Sequence, residues 1–159
     1  MDLRLLYAAI LTILPITELR VGLPLAIAYA IDNNLPIYSV FLMILFLNIL
    51  VIFFIFYFLD NLHSLFMKFS PYRKVFGAFI KRFRKKVDKF EERYESLGFL
   101  ALVLFVAVPL PGTGAWTGCL LAWLLDLRRR ESIIAISLGV IIAGILILLG
   151  TLGVLRIFG

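Results

Sequence analysis

The chain has 159 residues, of which 63% are hydrophobic and 16% charged, and its mean hydropathy is +1.06. This composition is typical of an integral membrane protein and leaves no room for a large soluble domain. With one cysteine (Cys119) and one histidine (His63), the chain cannot form an internal disulfide framework or a thiolate metal cluster. We expect no metal, no cofactor and no enzyme activity. The net charge of +6 does not indicate nucleic-acid binding, because clustered Lys and Arg in a membrane protein usually mark cytoplasmic loops.

The first apolar segment, 3–31, contains Pro15 and Pro24, with the charged residues Glu18 and Arg20 between them. Proline removes a backbone donor and clashes with the preceding helical turn, so both prolines are predicted structural breaks. Inside a bilayer, irregular backbone survives only where protein or a water-filled cavity covers it. We therefore interpret this first broken segment as a re-entrant helical hairpin, which enters the membrane, turns and returns.

Two contrasting stretches follow along the chain. Residues 37–59 include no charged residue and predict a membrane-spanning helix. The next segment, residues 62–96, is by contrast strongly charged: its residues 81–95 carry eleven charges in fifteen positions. Apolar residues recur there in steps of four and three, which predicts an amphipathic basic helix. It either lies on the cytoplasmic membrane surface or against the protein, or it forms a short coiled coil in a homodimer. The apolar positions are Phe76, Ile80, Phe83, Val87, Phe90, Tyr94 and Leu97.

The second broken segment, 97–125, is interrupted by Pro109 and Pro111, and it predicts a second re-entrant hairpin. The apolar residues 132–155 then predict a second spanning helix. The distribution of positive charge favours this topology. Residues 60–96 hold ten of the sixteen Lys and Arg residues, and they are therefore predicted to be cytoplasmic. If 97–125 turns back, the three arginines at 128–130 also lie inside.

An internal repeat connects the two halves. A shift of 96 positions places Pro15, Thr17 and Gly22 on Pro111, Thr113 and Gly118. The predicted fold is an all-α integral membrane protein with one membrane domain over 1–159. It has two inverted repeats, each a re-entrant hairpin plus a spanning helix, joined by the basic amphipathic cytoplasmic helix. Inverted repeats with interrupted helices are typical of secondary transporters.

The charged pair Glu18 and Arg20 is the principal candidate site. A charge at the centre of a bilayer costs about 2.5–3.5 kcal/mol on insertion scales, so each must be paired or face a water-filled cavity. One interpretation is an ion pair that locks the hairpins together. The other is functional: Arg20 binds an anionic group of the substrate, and Glu18 carries a coupling proton.

The second break supplies complementary groups. A helix that begins after Gly112, Thr113 and Gly114 directs unpaired N–H groups and its positive dipole end towards the centre, where they stabilise an anion. Thr17, the repeat equivalent of Thr113, belongs to the same predicted site. Trp116 either covers the site as a lid or only contributes to packing. The predicted substrate-binding residues are Glu18, Arg20, Thr17, Gly112, Thr113, Gly114, Trp116 and Thr117.

Two motifs, Glu18-Leu-Arg-Val-Gly-Leu-Pro24 and Pro109-Leu-Pro-Gly-Thr-Gly-Ala-Trp-Thr-Gly118, resemble the small multidrug export protein family. That family is similar to the DedA/VTT membrane proteins, which have paired re-entrant hairpins. The resemblance covers nearly the whole chain. It implies a multi-pass protein of the cell membrane and, by way of the DedA-like proteins, translocation of lipids such as undecaprenyl phosphate.

Three functional hypotheses follow. The first is a transporter that moves an anionic phosphate-bearing lipid or amphiphile, polyprenyl-phosphate-like, by alternating access, with Glu18 available for proton coupling. The second is a small-molecule or multidrug exporter, in which Glu18 alone matters. The third is a non-transporting membrane scaffold. The expected partners are the membrane and its anionic lipids or an amphiphilic substrate.

Overall fold

The computed structural model describes residues 3–15, 17–71, 73–78, 80–81, 98–110 and 112–158. Every regular element in these ranges is helical. In chain order the helices are α1 (Leu3–Ile13), α2 (Glu18–Asp32), α3 (Ile37–Tyr57), α4 (His63–Phe66), α5 (Phe99–Ala107), α6 (Ala115–Leu124) and α7 (Arg129–Phe158), and a π-helical turn, Phe58–Leu62, connects α3 to α4.

The first broken segment folds as two helices that pack closely on each other. Helix α1 ends at Ile13 and α2 begins at Glu18, so Pro15 lies in the break between them. Gly22 of α2 faces α1, where a Cβ would lie 2.8 Å from the carbonyl oxygen of Ala8 and against the hydroxyl of Thr12. The absence of a side chain at Gly22 therefore allows the two backbones to approach.

The prediction that Pro24 breaks this segment is wrong, because α2 continues through it from Glu18 to Asp32. Proline lacks the N–H that would bond to the carbonyl four residues earlier, here that of Arg20, but the ring does not prevent helical dihedral angles at its own position. Membrane helices tolerate such a proline where neighbouring groups compensate for the lost hydrogen bond.

Within the described ranges, two helices are long and apolar enough to cross a membrane, by length and composition. They comprise Ile37–Leu62, with 26 residues, and Arg129–Ile157, with 29. The predicted spans 37–59 and 132–155 lie within them. The second begins three residues earlier than predicted, because the charged residues 129–131 continue the helix beyond its apolar part. Large apolar side chains on both helices are exposed, such as Phe46 of α3 and Leu149 of α7, as expected for surfaces that face lipid.

The second broken segment packs differently from the first. Helix α5 packs mainly on α7 and contacts α6 less, whereas α1 packs mainly on α2. Gly139 of α7 makes this possible, since a Cβ there would lie 2.6 Å from Cβ of Val106 and 2.9 Å from the carbonyl oxygen of Val103. The two broken segments thus share an interruption but not a packing arrangement, and the inverted repeat and the re-entrant topology stay predictions.

The basic amphipathic segment is described in part. Residues 70–71, 73–78 and 80–81 are helical, and Phe76 and Ile80 pack against the apolar core. The ring of Phe76 lies 4.4 Å from that of His63, centroid to centroid. The start of the segment therefore lies against the protein. The rest of the predicted apolar seam, from Phe83 to Leu97, and with it the coiled-coil alternative, falls outside the described residues.

Replacing Gly22 by Ala is expected to destabilise the protein by about 1–3 kcal/mol, the usual cost of inserting a methyl group where there is no space. The carbonyl oxygen of Ala8 belongs to the backbone and cannot rotate away from the new Cβ. The matched control is Gly150→Ala in α7, because no heavy atom lies within 4 Å of a Cβ there. Thermal unfolding in detergent should show a lower Tm for Gly22→Ala only; equal Tm values for the two variants would refute the close α1–α2 contact.

Candidate functional site

The two breaks lie against each other, and the contact is made by hydrogen bonds. The indole N–H of Trp116 donates to the carbonyl oxygen of Ile13, at 2.9 Å, at the end of α1. The guanidinium of Arg20 donates from Nη2 to the hydroxyl oxygen of Thr113, at 2.6 Å. These bonds join residues about a hundred positions apart in the chain, so the fold brings together the two motifs identified in the sequence.

Glu18 is buried at this junction, with 7% of its surface exposed. One carboxylate oxygen accepts the backbone N–H of Trp116 at 3.1 Å, and the N–H of Ala115 lies close enough to interact with the same carboxylate. Both N–H groups belong to the first turn of α6, where intrahelical acceptors are missing and the helix dipole is positive. The carboxylate of α2 therefore caps a helix of the other broken segment.

Gly114 leaves the space that this carboxylate fills. A Cβ at Gly114 would lie 2.9 Å from Cδ of Glu18 and would collide with its Oε2. Glu18 itself adopts φ 45°, an uncommon left-handed conformation for a residue with a side chain. We predicted that the glycines of this break let the backbone approach a ligand. In this conformation the group that approaches is the protein's own carboxylate.

Arg20 is half-buried and stabilises the second break. Its partner, the Thr113 hydroxyl, also lies within hydrogen-bond distance of the carbonyl oxygens of Val108, at 2.7 Å, and Leu110, at 2.9 Å. Since the hydroxyl can donate to either carbonyl while it accepts from Arg20, the guanidinium is connected to the irregular backbone through Thr113.

Glu18 and Arg20 do not form the ion pair that one interpretation of the sequence required. In the described part of the chain the ion pairs are Arg128–Glu131 and Arg129–Asp60. Residues two apart on a helix do not face each other, and these two charges interact electrostatically without coming within ion-pair distance. Each one reaches the second broken segment separately, Glu18 at the N-terminus of α6 and Arg20 at Thr113.

Other predicted site residues lie at the breaks, but their hydrogen bonds do not connect one broken segment to the other. The hydroxyl of Thr17 donates to the carbonyl oxygen of Leu11, at 2.5 Å, and that of Thr117 donates to Gly114, at 3.3 Å, so each bonds within its own segment. Gly112 lies in the second break with φ 77°. Pro109 also lies in this break, and Pro111 is outside the described residues.

A small cavity adjoins the carboxylate and the guanidinium. Its volume is about 10 Å³, which is room for about one water molecule. Asn48 of α3 reaches it, and this buried amide also donates to the carbonyl oxygen of Thr12, at 3.1 Å. Asn48 is not among the predicted site residues, although an amide in an otherwise uncharged spanning helix is a signal that points to it. The lining residues are Glu18, Leu19, Arg20, Asn48, Val106, Gly114, Ala115, Val140, Ala143 and Ile147.

These features define a class of protein. Two interrupted apolar segments meet beside two helices long enough to cross a membrane, and buried polar groups line the junction, as in helical membrane transporters. The chain belongs to the family described as Putative small multi-drug export protein, whose model matches residues 18–146. Comparisons with curated proteins and with solved structures found no match. The comparisons do not show the similarity to DedA/VTT proteins that the motifs implied.

The contact between Gly114 and Glu18 can be tested by a double-mutant cycle. Gly114→Ala alone should lower the free energy of unfolding, because the new Cβ displaces the buried carboxylate. In a Glu18→Ala background the same change should cost less, by about 1–3 kcal/mol, since the colliding atoms are gone. Thermal or denaturant unfolding of the four proteins in detergent gives the coupling. Additive effects would contradict the geometry.

Proposed function

We propose that this protein is an exporter of the cell membrane whose substrate passes through the junction of the two broken segments. Residues 60–96 and the arginines at 128–130 would lie on the cytoplasmic side. Family membership supports the exporter assignment. The single observation that carries the proposed mechanism is the buried Glu18 carboxylate bound to the backbone N–H of Trp116.

This hydrogen bond can be exchanged, which is what a transport cycle needs. A carboxylate attracts the positive end of α6, whereas a protonated carboxyl has lost that charge. Protonation of Glu18 would therefore weaken its hold on the first turn of α6 and free the N–H groups of Ala115 and Trp116. Intramembrane carboxyl groups act as proton carriers in many pumps and transporters. Proton binding would thus loosen the contact between the broken segments.

The groups released in this way favour an anionic substrate. The freed N–H groups of α6 and the Arg20 guanidinium are all donors, and together they would bind a phosphate. In the present conformation the Glu18 carboxylate occupies the place of that anion. Since the cavity has room for about one water molecule, substrate entry requires the segments to separate, as alternating access implies. A phosphate-bearing lipid or amphiphile, polyprenyl-phosphate-like, fits these donors, and its apolar tail would lie in the bilayer.

The family description refers to drug export, and the second substrate class that we consider is therefore small drug-like molecules, specifically organic cations. In that case the Glu18 carboxylate would be the binding group, and Arg20 would serve to hold Thr113. Charge therefore distinguishes the two classes: an anion needs Arg20, whereas a cation needs Glu18 and is repelled by Arg20.

Transport by purified protein in liposomes tests the proposal. The two probes are a headgroup-labelled phosphate lipid and a fluorescent cationic dye. Glu18→Gln and Arg20→Lys should each lower lipid movement about tenfold or more, the loss expected for one charge-assisted hydrogen bond. Lysine keeps the charge of Arg20 but cannot bind a phosphate through two parallel donors. The control is Glu131→Gln, which alters an exposed ion pair and should leave transport unchanged.

The outcomes separate the hypotheses. Dye export that survives Arg20→Gln but not Glu18→Gln would identify a cation exporter and exclude the anionic substrate. Movement of neither probe by the wild-type protein would reject transport of both classes and favour a scaffold.

A further inference from the structure

An ion pair joins the two long helices at one end. Asp60, in the π-helical turn after α3, accepts from Nη2 of Arg129, the first residue of α7, at 2.5 Å. The cavity lies near the middle of both helices, at Asn48 and Ala143. At a rise of 1.5 Å per residue, the ion pair is about 20 Å from the cavity along the helix axes. It therefore lies between the cavity and the predicted cytoplasmic side.

The surroundings of Arg129 close this end further. Its Cζ lies 4.1 Å from the centre of the Phe56 ring, a cation–π contact between α7 and α3. Beside it, His63 packs edge-on against Trp123, with ring centroids 5.1 Å apart. Burial lowers the pKa of His63, so that its ring is neutral near pH 7. Side chains from α3, α4, α6 and α7 thus meet across the end of the bundle.

The ion pair between Arg129 and Asp60 holds this end of the bundle closed only weakly. The side chains of Arg129 and Asp60 are 36% and 40% exposed, and ion pairs of that exposure contribute little stability. In addition, Nη1 of Arg129 is buried and has no hydrogen-bond partner, which opposes the closed arrangement. The ion pair therefore adds little to the stability of the closed arrangement, and little free energy is needed to break it.

The backbone at Asp60 also departs from a regular α-helix. The N–H of His63 bonds to the carbonyl of Phe58, five residues earlier, and Asp60 is at the centre of this wide turn. Such π-helical turns are rare and frequently lie at functional sites. A return to α-helical register would rotate the residues beyond the turn and move Asp60 relative to Arg129.

We propose that Asp60 and Arg129 form a gate that closes one end of the transport path, with the π-helical turn Phe58–Leu62 as its hinge. The gate rests on the proposed function, since it controls access to the same junction. In the closed state the ion pair and the Phe56 ring block the route between α3 and α7. In the open state Arg129 leaves Asp60, and its unpaired nitrogen gains a partner.

The gate is tested without transport, by cysteine labelling in lipid nanodiscs, where the reagent reaches both faces. The reporter is Ala143→Cys, which lines the cavity, in a Cys119→Ser background. Asp60→Asn and Arg129→Gln should each raise its labelling rate about two- to fivefold, as expected for loss of a partly exposed ion pair. The matched control is Arg128→Gln, which removes an exposed ion pair that does not join the two long helices. The charge swap Asp60→Arg with Arg129→Asp should return the rate towards that of the unmodified pair.

Three results would overturn the gate. The first is unchanged labelling in both single variants, and the second is an equal rise in the Arg128→Gln control. The third is an equal rise at Ala26→Cys, a fully buried position outside the cavity lining, which would mean general unfolding. Because labelling does not measure transport, inactivity of the wild-type protein in liposomes would count against the proposed function and leave the labelling result intact.

Discussion

The constraint on which the structure depends is the burial of the Glu18 carboxylate in an apolar segment. Its cost is offset by the N–H groups at the start of α6, and this requires the second segment to break where α6 begins. Gly114 follows from the same requirement, because a side chain there would occupy the place of the carboxylate. The junction is thus specified by both segments together.

The remaining contacts hold the junction in register. Arg20 reaches Thr113, and Trp116 reaches back to Ile13, so polar groups of each break are satisfied by the other. Asn48 adds a third element by bonding the carbonyl of Thr12 while it lines the cavity. If exchange of these bonds drives transport, the Glu18 carboxylate and the anion compete for one set of donors, and protonation of Glu18 releases those donors to the anion. The gate at Asp60 and Arg129 would then control access to the junction.

The sequence predicted the interruptions at Pro15 and Pro109 and the two long helices, because proline chemistry and uncharged length determine them locally. It also selected Glu18, Arg20, Thr113 and Gly114, which meet at the junction, while their role in substrate binding stays a prediction. The sequence could not show which group binds at the N-terminus of α6. The N–H groups and the dipole of a helix end attract a carboxylate of the protein and an external anion in the same way. Pro24 was misread because tertiary context decides whether a membrane helix tolerates proline. The packing of α5 on α7 depends on Gly139, whose partner is non-local.

Crosslinking tests the central claim, that the two breaks meet, most directly. In a Cys119→Ser background, Arg20→Cys and Thr113→Cys should join through a short bifunctional thiol reagent in the native membrane, because these residues are in direct contact. The control pairs Arg20→Cys with Asp126→Cys, which follows α6 and lies about 15 Å farther along its axis. The account predicts efficient crosslinking of the first pair and little of the second. Equal yields, or no crosslink between positions 20 and 113, would contradict it.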